Sequence, residues 1–383
     1  MLKKIGLVLL VLMHSLYADF DYTVNNTNFT ISQGSILPND NETYVYNYNR
    51  LRFRGDYTGD YIFSTIIADS VNYLGHDYAN SNSFEYVKRL KADVPFKTQT
   101  AFHDYYEGST YAKLYRLYGG YEDDKNRVVL GLQNITMGVG RIWTPTNLFN
   151  PKNTYALEPD ETYGVAALSY TRHLNETSQI SVVASQRADH SFKYAANYKS
   201  FLEYGDFGIN LIRSNDTKMI GYEFEGDLSN TGVEVRSEGA YIQHDLKTMN
   251  SEEEKEFFQG ILGADYGFEN GVSIVLEALY SSEEFSYQEI FLNLDSEIFS
   301  NLVYSSLYTA VSLSYSFNIY LDASFLYIES YNNQNSRFIS PTLTYTLNDY
   351  NAFMLGAMIQ NGPDGSEFGD LENLYYFKYS LSF

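Results

Sequence analysis

The side chains whose types and spacing suit chemistry are concentrated in one long, apolar stretch, residues 131–161. It contains the only tryptophan of the chain, Trp143, two residues after Arg141, and it ends in an acidic segment. Such a stretch offers two roles: its charges select ions if it narrows a pore, or its rings, with Phe149, brace a wall. The candidate pore or constriction residues of this stretch are Arg141, Trp143, Lys152, Glu158, Asp160 and Glu161.

A second set of charges occupies every second position of other segments. Arg50, Arg52 and Arg54 alternate with Leu51 and Phe53, so in a strand the arginines share one face and the apolar residues the other. By the same rule four acidic residues share the inner face of later strands: Glu223, Glu225, Glu234 and Glu238. Opposed walls of unlike charge would create a transverse field across a lumen. Alternatively, these charges pair with their neighbours and only keep the lumen wet.

Signals for covalent chemistry are poor. The histidines show no metal-ligand spacing, and the sequence has no Gly-x-Ser-x-Gly motif or glycine-rich phosphate loop. No serine or aspartate is grouped with a histidine. We therefore predict that the protein is not an enzyme and uses no cofactor or metal ion. The histidines in question are His14, His76, His103, His173, His190 and His244.

The elements that must position these residues are β-strands. In residues 307–317 most residues at every second position are large and apolar, and most residues between them are serine, alanine or tyrosine. This alternation is typical of a strand between lipid and a water-filled lumen. This register places Val311, Leu313 and Ile359 toward lipid. Earlier and later segments repeat the pattern, and short connections alternate with long ones, as in outer-membrane barrels. The count gives about eighteen strands if the weak segment 29–37 is included, or about sixteen if a weak segment fails.

Three regions are expected to be irregular. The polar residues 19–26 are predicted to be loose, and residues 69–108 are predicted to form a long loop with a short strand or helix. A third loop, 245–255, carries Glu252, Glu253 and Glu254 with Lys255 as a solvated surface.

Composition excludes several classes of protein. Residues 1–18 are typical of a secretory signal peptide, with Lys3 and Lys4 before an apolar run and Ala18 at the expected cleavage site, which leaves residues 19–383 as one barrel domain. No later segment has roughly 18 consecutive apolar residues, so a helical membrane protein is excluded. The net charge of −22, made more negative by loss of the two lysines, argues against a nucleic-acid partner. The 17% aromatic residues suit the two interfacial belts of a barrel.

Two motifs resemble those of known proteins. The last ten residues, LYYFKYSLSF, resemble the C-terminal aromatic signature that the assembly machinery of bacterial outer-membrane β-barrels recognises, here through Phe383. Residues 131–151 resemble a segment of a porin-like outer-membrane group with an Arg-x-Trp-x-Pro-Thr-Asp-Leu-Phe-x-Pro loop. Leu132, Met137 and Asn147 depart from that pattern. The matching residues are Gly131, Gln133, Gly138, Arg141, Trp143, Pro145, Thr146, Leu148, Phe149 and Pro151.

These patterns predict an all-β, transmembrane, antiparallel β-barrel in the outer membrane of a Gram-negative bacterium. The apolar loop 134–162 is expected to fold inward, with Arg141 and Lys152 near Glu158, Asp160 and Glu161 and a mild preference for cations. The polar inner faces and the long loop, together with the porin-like resemblance, predict a porin for passive diffusion of small hydrophilic solutes or ions, in contact with outer-membrane lipid. The alternative is a non-conducting barrel, an adhesin or assembly scaffold. Assembly into a homo-oligomer is left open.

Overall fold

The computed structural model describes residues 19–35, 42–249, 251–332 and 334–383. The expected signal peptide, residues 1–18, and the expected turn from Pro38 to Asp40 lie outside these ranges. All strands of the described ranges belong to one sheet of 19 strands. They are β1 Asp19–Gly34, β2 Thr43–Thr58, β3 Ile62–Leu74, β4 His103–Tyr105, β5 Gly108–Glu122, β6 Asn126–Gln133, β7 Val165–Asn175, β8 Ser178–Gln186, β9 Phe192–Leu202, β10 Gly205–Arg213, β11 Thr217–Asp227, β12 Val233–Lys247, β13 Glu252–Gly267, β14 Val272–Ser281, β15 Leu307–Asn318, β16 Leu321–Tyr331, β17 Ser336–Asn348, β18 Asn351–Asn361 and β19 Leu374–Ser382.

The sheet closes on itself as an 18-stranded antiparallel barrel, which confirms the predicted fold. Each strand of the ring pairs with the next ring strand along the chain, and β1 pairs with both β2 and β19. The short β4 pairs with β5 alone, and β3 and β5 pair directly, so β4 lies outside the ring. Because closure leaves no free sheet edge, every strand of the ring has a partner on both sides.

The predicted loose segment 19–26 is instead the first half of β1. Its residues pair with β2 from Thr58 to Leu51, and Val24 exchanges two backbone hydrogen bonds with Phe383 (3.2 and 2.9 Å). Phe20 and Tyr22 of this half are exposed on the outer face, but the faces of the second half are inverted, and this broke the hydrophobic pattern of the strand. Phe29 is buried inside the barrel, whereas the outward residues of the strand are mostly polar. On the outward face Asn28 is satisfied by a reciprocal amide pair with a residue of β2, Asn47 (3.0 and 2.8 Å).

The connections at the two rims differ in length, as predicted. We call the rim with the connections 59–61, 123–125, 176–177, 203–204, 228–232, 268–271, 319–320 and 349–350 the short-turn rim; Asp19 and Phe383 both lie there. The opposite, long-loop rim carries the three longest connections, 75–107, 134–164 and 282–306. The first of these contains helices α1 His76–Ala79 and α2 Asn82–Arg89, and the third contains α3 Tyr287–Leu292. No helix of the described ranges is long and apolar enough to cross a membrane.

Two predicted loops are shorter than expected because strands extend into them. Strand β3 continues to Leu74, and β12 and β13 pair as far as Lys247 and Glu252. Glu252, Glu253 and Glu254 are therefore exposed residues of a strand, and their assignment to a loop is wrong. The hydrophobic pattern concealed these strand ends because their apolar residues, such as Val71 and Leu246, are buried inside the barrel while polar residues such as Ser70 and Asp245 lie on the other face.

Alternation sorts the side chains between the outer surface and the interior. Large apolar residues are exposed on the outer surface, including Leu313, Leu355 (61%) and Leu262 (68%). Their neighbours along the strands, such as Ala310 and Met358, are buried inside. The interior holds two apolar clusters, in which loop residues from the long-loop rim pack against the wall. The barrel is thus partly filled by its own loops.

Candidate functional site

The connection 134–164, here called the inner loop, crosses the interior from β6 and β7 to the wall formed by β11–β14. A buried carboxylate of β12, Glu238, binds the first half of the inner loop. Its Oε2 accepts the backbone N–H groups of Val139 (2.8 Å) and Gly140 (3.1 Å), and its Oε1 accepts the N–H and the hydroxyl of Thr146 (2.7 and 2.8 Å). A buried carboxylate is tolerated when it accepts several such hydrogen bonds, so Glu238 and the loop stabilise each other.

A second buried carboxylate, Glu277 of β14, holds the next residues of the loop. Its two oxygens accept the backbone N–H groups of Arg141 (2.9 Å), Ile142 (3.0 Å) and Trp143 (2.8 Å). Glu223 of β11 accepts the N–H of Gly138 at 2.8 Å in the same way. The predicted inward folding of this loop is therefore correct. Three acidic residues of the β11–β14 wall, Glu223, Glu238 and Glu277, hold it inside the barrel.

The sequence Gly138-Val139-Gly140 is required by this close approach. Gly138 has a φ of +90°, and a Cβ at this position would lie 2.6 Å from the Glu238 carboxylate. A Cβ on Gly140 would lie 1.7 Å from the carbonyl oxygen of Trp143. Only glycine allows the backbone to reach the carboxylates at these two positions.

The side chain of Arg141 lies among acidic residues of the wall. Its guanidinium pairs with Glu225 (2.8 Å), Glu234 (2.7 Å) and Asp265 (3.3 Å). The expected position near Glu158, Asp160 and Glu161 is therefore wrong. Its backbone, clamped by Glu277 on β14, directs the side chain along β11–β13 instead.

The acidic end of the inner loop binds the arginine wall. Arg50 forms a bidentate pair with Glu158 (2.8 and 3.1 Å), and Arg52 forms one with Glu161 (2.8 and 2.9 Å). Burial raises the pKa of Glu161, but hydrogen bonding to Arg52 and the charge of Arg50 outweigh burial and lower it below the ordinary glutamate value. Lys378 of β19 also contacts Glu158 at 3.3 Å. The inner loop thus bridges two opposite walls.

The remaining predicted residues are more exposed. Arg54 pairs with Asp56 of its own strand at 2.5 Å, and Lys152 lies 3.4 Å from Asp160. The Asp160 side chain is 83% exposed, against 18% for Glu158 and 26% for Glu161. Most predicted charges are therefore paired across or along the inner loop, and Asp160 is the predicted acidic residue with the most access to water.

The interior retains a cavity of about 550 Å³ between the inner loop and the wall formed by β5–β9. It is lined by charged, neutral polar and apolar side chains from both, the apolar ones including Ile135, Met137 and Val183. The charges of the lining are of both signs, since they include Arg116, Lys199 and Asp160. Lys199 pairs with Glu223 at 2.8 Å, and Arg116 donates to the carbonyl oxygen of Thr162 at 2.9 Å. Polar residues of its lining include Arg116, Gln133, Asp160, Ser169, Asn197 and Lys199.

Sequence reasoning missed several residues that position the inner loop. Glu277 carried a signal, since it is the one charge in the otherwise apolar strand β14. Arg236 is fully buried between Asp265 and Glu277 and carried no such signal. Lys193 donates to the carbonyl oxygen of Leu148 at 2.8 Å. No group of three potential metal ligands occurs among the residues that the structure describes.

Comparison with known proteins identifies solved structures that have a similar fold. No family model matches the chain, and no curated protein matches it. Acinetobacter baumannii OccAB1 is similar in structure, with 10% identity and a TM-score of 0.60 over 97% of this chain and 98% of that chain. Pseudomonas aeruginosa OccD3 (OpdP) has 9% identity and a TM-score of 0.59 over 97% and 92%. The P. aeruginosa outer membrane protein OpdK has 8% identity and a TM-score of 0.54 over 95% and 99%. The chain shares the fold of these outer-membrane barrels.

Proposed function

We propose that the protein is an outer-membrane channel for passive diffusion of small hydrophilic solutes or ions. The observation that carries the proposal is the polar cavity of about 550 Å³ beside the inner loop, within a closed barrel of 18 strands. Barrels of 16–18 strands are wide enough for an aqueous channel, whereas eight strands are filled by side chains. On the usual orientation, the short-turn rim faces the periplasm and the long-loop rim faces outward.

The inner loop is the proposed constriction. Its anchors on two walls hold it across the lumen, as a loop that sets pore size must be held. Glu158 and Glu161 are held by arginines, whereas Asp160 is 83% exposed and pairs only with Lys152 at 3.4 Å, so Asp160 is the carboxylate at this end of the loop that ions reach most easily. A fixed negative charge at a narrow level attracts cations, and we expect a mild cation preference.

Two further parts of the proposal come from the resemblances. The motif of residues 131–151 supports a porin-like role, because its glycines and Trp143 lie where the inner loop contacts the wall. Phe383, 68% exposed at the end of β19, is the proposed contact for the outer-membrane assembly machinery.

Planar-bilayer recording of the purified, folded protein tests the channel. We expect single-channel steps in KCl and a reversal potential that favours K⁺ over Cl⁻. Absence of steps in any monovalent salt would contradict the channel. It would instead support a non-conducting barrel whose interior is filled by the clusters of its loops.

A further inference from the structure

A groove lies on the outer surface of the barrel, across β9–β12, and it has a volume of about 440 Å³. One row of outward side chains crosses its apolar part, since Ala196 pairs with Leu211, Leu211 with Ile220, and Ile220 with Tyr241. Ala196 is small between larger neighbours, and this difference in size makes the surface concave. An apolar groove at this place faces the acyl chains of the membrane.

The next row toward the long-loop rim is basic. Arg213 and Lys218 are directly opposed on β10 and β11, with Tyr194 beyond Arg213 and Gln243 beyond Lys218. Like charges directly opposite each other on neighbouring strands repel. Neither cation forms a salt bridge within the described residues, although Lys218 donates to the Gln243 side chain at 3.1 Å.

Other outward charges of the barrel differ from this pair in having a partner. Arg337, an outward arginine at the same rim, pairs with Glu329 at 3.2 Å. Glu256 lies two strands beyond Lys218 in the same row, which is roughly 10 Å at the usual strand spacing. Its carboxylate accepts the hydroxyl of Tyr241 at 2.5 Å. In a chain with a net charge of −22, two adjacent unpaired cations favour an anionic ligand.

The height of the pair identifies the source of that ligand. Strand β10 has 9 residues, ends at Arg213 and starts at the short-turn rim. At the usual rise and tilt, nine residues span roughly 23 Å, close to the ~25 Å apolar band of an outer-membrane barrel. Arg213 and Lys218 therefore lie at the level of the lipid headgroups, and the apolar row lies just below them.

We propose that this groove binds a membrane lipid with a phosphate-bearing headgroup, in the leaflet next to the long-loop rim. The phosphate lies between the guanidinium of Arg213 and the ammonium of Lys218. An acyl chain lies over Ala196, Leu211 and Ile220, flanked by the rings of Tyr194 and Tyr241. The site is separate from the lumen, and only its membrane setting rests on the proposed function.

Native mass spectrometry of the full-length mature protein in detergent tests the site, because lipid retention can be counted without a conduction assay. The probe is diphosphorylated lipid A, compared with the same glycolipid after removal of its phosphates. We expect R213Q/K218Q to retain about tenfold less of the phosphorylated probe, and R337Q, whose cation is already paired, to retain as much as the parent. The dephosphorylated probe should bind the parent as weakly as the phosphorylated probe binds the double variant.

Two further measurements address the apolar part. A196W fills the groove while leaving both cations in place, so it should also lose the probe. Excess inorganic phosphate should displace little of it, because free phosphate lacks the acyl chain. Equal retention by R213Q/K218Q and the parent would overturn the proposal, as would complete displacement by inorganic phosphate. Because conductance is not part of the readout, a non-conducting barrel that binds the lipid would contradict the channel alone.

Discussion

Thr146 donates both its backbone N–H and its hydroxyl to one carboxylate oxygen of Glu238, at 2.7 and 2.8 Å, although 92 positions separate them in the chain. The other oxygen of Glu238 accepts two N–H groups from the first part of the inner loop. One buried side chain of the wall therefore fixes two separate points of the loop. Because charge-assisted hydrogen bonds in a buried site are strong, Glu238 determines where the loop lies.

Replacing this carboxylate should release the inner loop. Glu238→Ala leaves four donors without an acceptor, each at a cost of about 1–3 kcal/mol if it stays buried. We expect larger and noisier single-channel currents, and an emission of Trp143 shifted to longer wavelength by exposure to water. Glu252→Gln removes an equal charge from an exposed site and should change neither. Parent-like current and emission in Glu238→Ala would show that the loop is held by other contacts.

The sequence predicted the barrel better than it predicted the partners inside it. Alternation depends only on neighbours two positions apart, so it located most strands, and the apolar composition of residues 134–162 predicted that this loop folds inward. Partners such as Arg141 and Glu234 are 93 positions apart, and no local pattern relates them. The predicted partners of Arg141 were acidic residues near it in sequence. Strand β1 was underestimated because its pattern changes face along its length: Phe20 and Tyr22 lie outward, whereas Phe29 and Ile31 lie inward and Asn28 outward, against the rule for lipid-facing strands.

The register of β15 can be tested with one charge placed on either face. Leu313 is outward and near the middle of its strand, whereas its neighbour Ser312 faces the interior. Leu313→Arg should lower the free energy of unfolding in liposomes by about 2–4 kcal/mol, the usual cost of arginine at the bilayer midplane. Ser312→Arg should change it much less. Equal losses in denaturant titrations of the two variants would show that the assigned faces are wrong.

The two acidic residues at the end of the inner loop should differ in their effect on selectivity. Asp160 is 83% exposed, so Asp160→Asn should shift the reversal potential in a KCl gradient toward anions and leave conductance nearly unchanged. Glu161 instead binds Arg52 (2.8 Å) and Arg50 (3.3 Å), and Arg52 also holds Asp69 at 2.7 Å. Glu161→Gln should therefore remove one negative charge from this cluster and loosen the end of the loop, with a shift toward anions and a noisier current. An unchanged reversal potential in Asp160→Asn would place this carboxylate outside the ion path.

The connection between β18 and β19 should respond to pH. Burial raises the pKa of Glu367 to about 7, and a hydrogen bond from Ser330 (2.8 Å) only partly offsets the rise. Since the folded value exceeds the ordinary 4.5, the stabilisation from this group is complete below pH 4.5 and is lost as pH rises through 7. We expect on the order of 1–2 kcal/mol, because the side chain is half-buried.

Fluorescence can report this change, since Trp143 lies 5.9 Å from Tyr308, between ring centroids, and Tyr308 lies beside Glu367. Quenching of Trp143 by acrylamide should increase from pH 5 to pH 8. Glu367→Gln keeps the hydrogen bond but cannot ionise, so its quenching should be the same at both values. If the variant kept the pH dependence of the parent, another group would be responsible.

Deleting residues 144–157 should enlarge the pore. The segment includes Thr146, one partner of Glu238, and Leu148 and Phe149, which are buried against the wall. Strands β6 and β7 pair with each other through eight residue pairs outside the segment, from Asn126 to Gln133, so the barrel should still close. Removing the bulk of a constriction should raise single-channel conductance in KCl, on the order of twofold.

The deletion removes hydrogen bonds as well as bulk, and conductance alone does not separate the two effects. Glu238 loses the two hydrogen bonds from Thr146 and keeps those from Val139 and Gly140. Thr146→Val removes only the hydroxyl and serves as the matched control; it should leave the open level nearly unchanged and increase the noise. A higher open level in the deletion but not in Thr146→Val identifies the inner loop as the constriction. Parent-like conductance in a folded deletion variant would place the ion path elsewhere in the barrel and leave Trp143 as a brace for the wall.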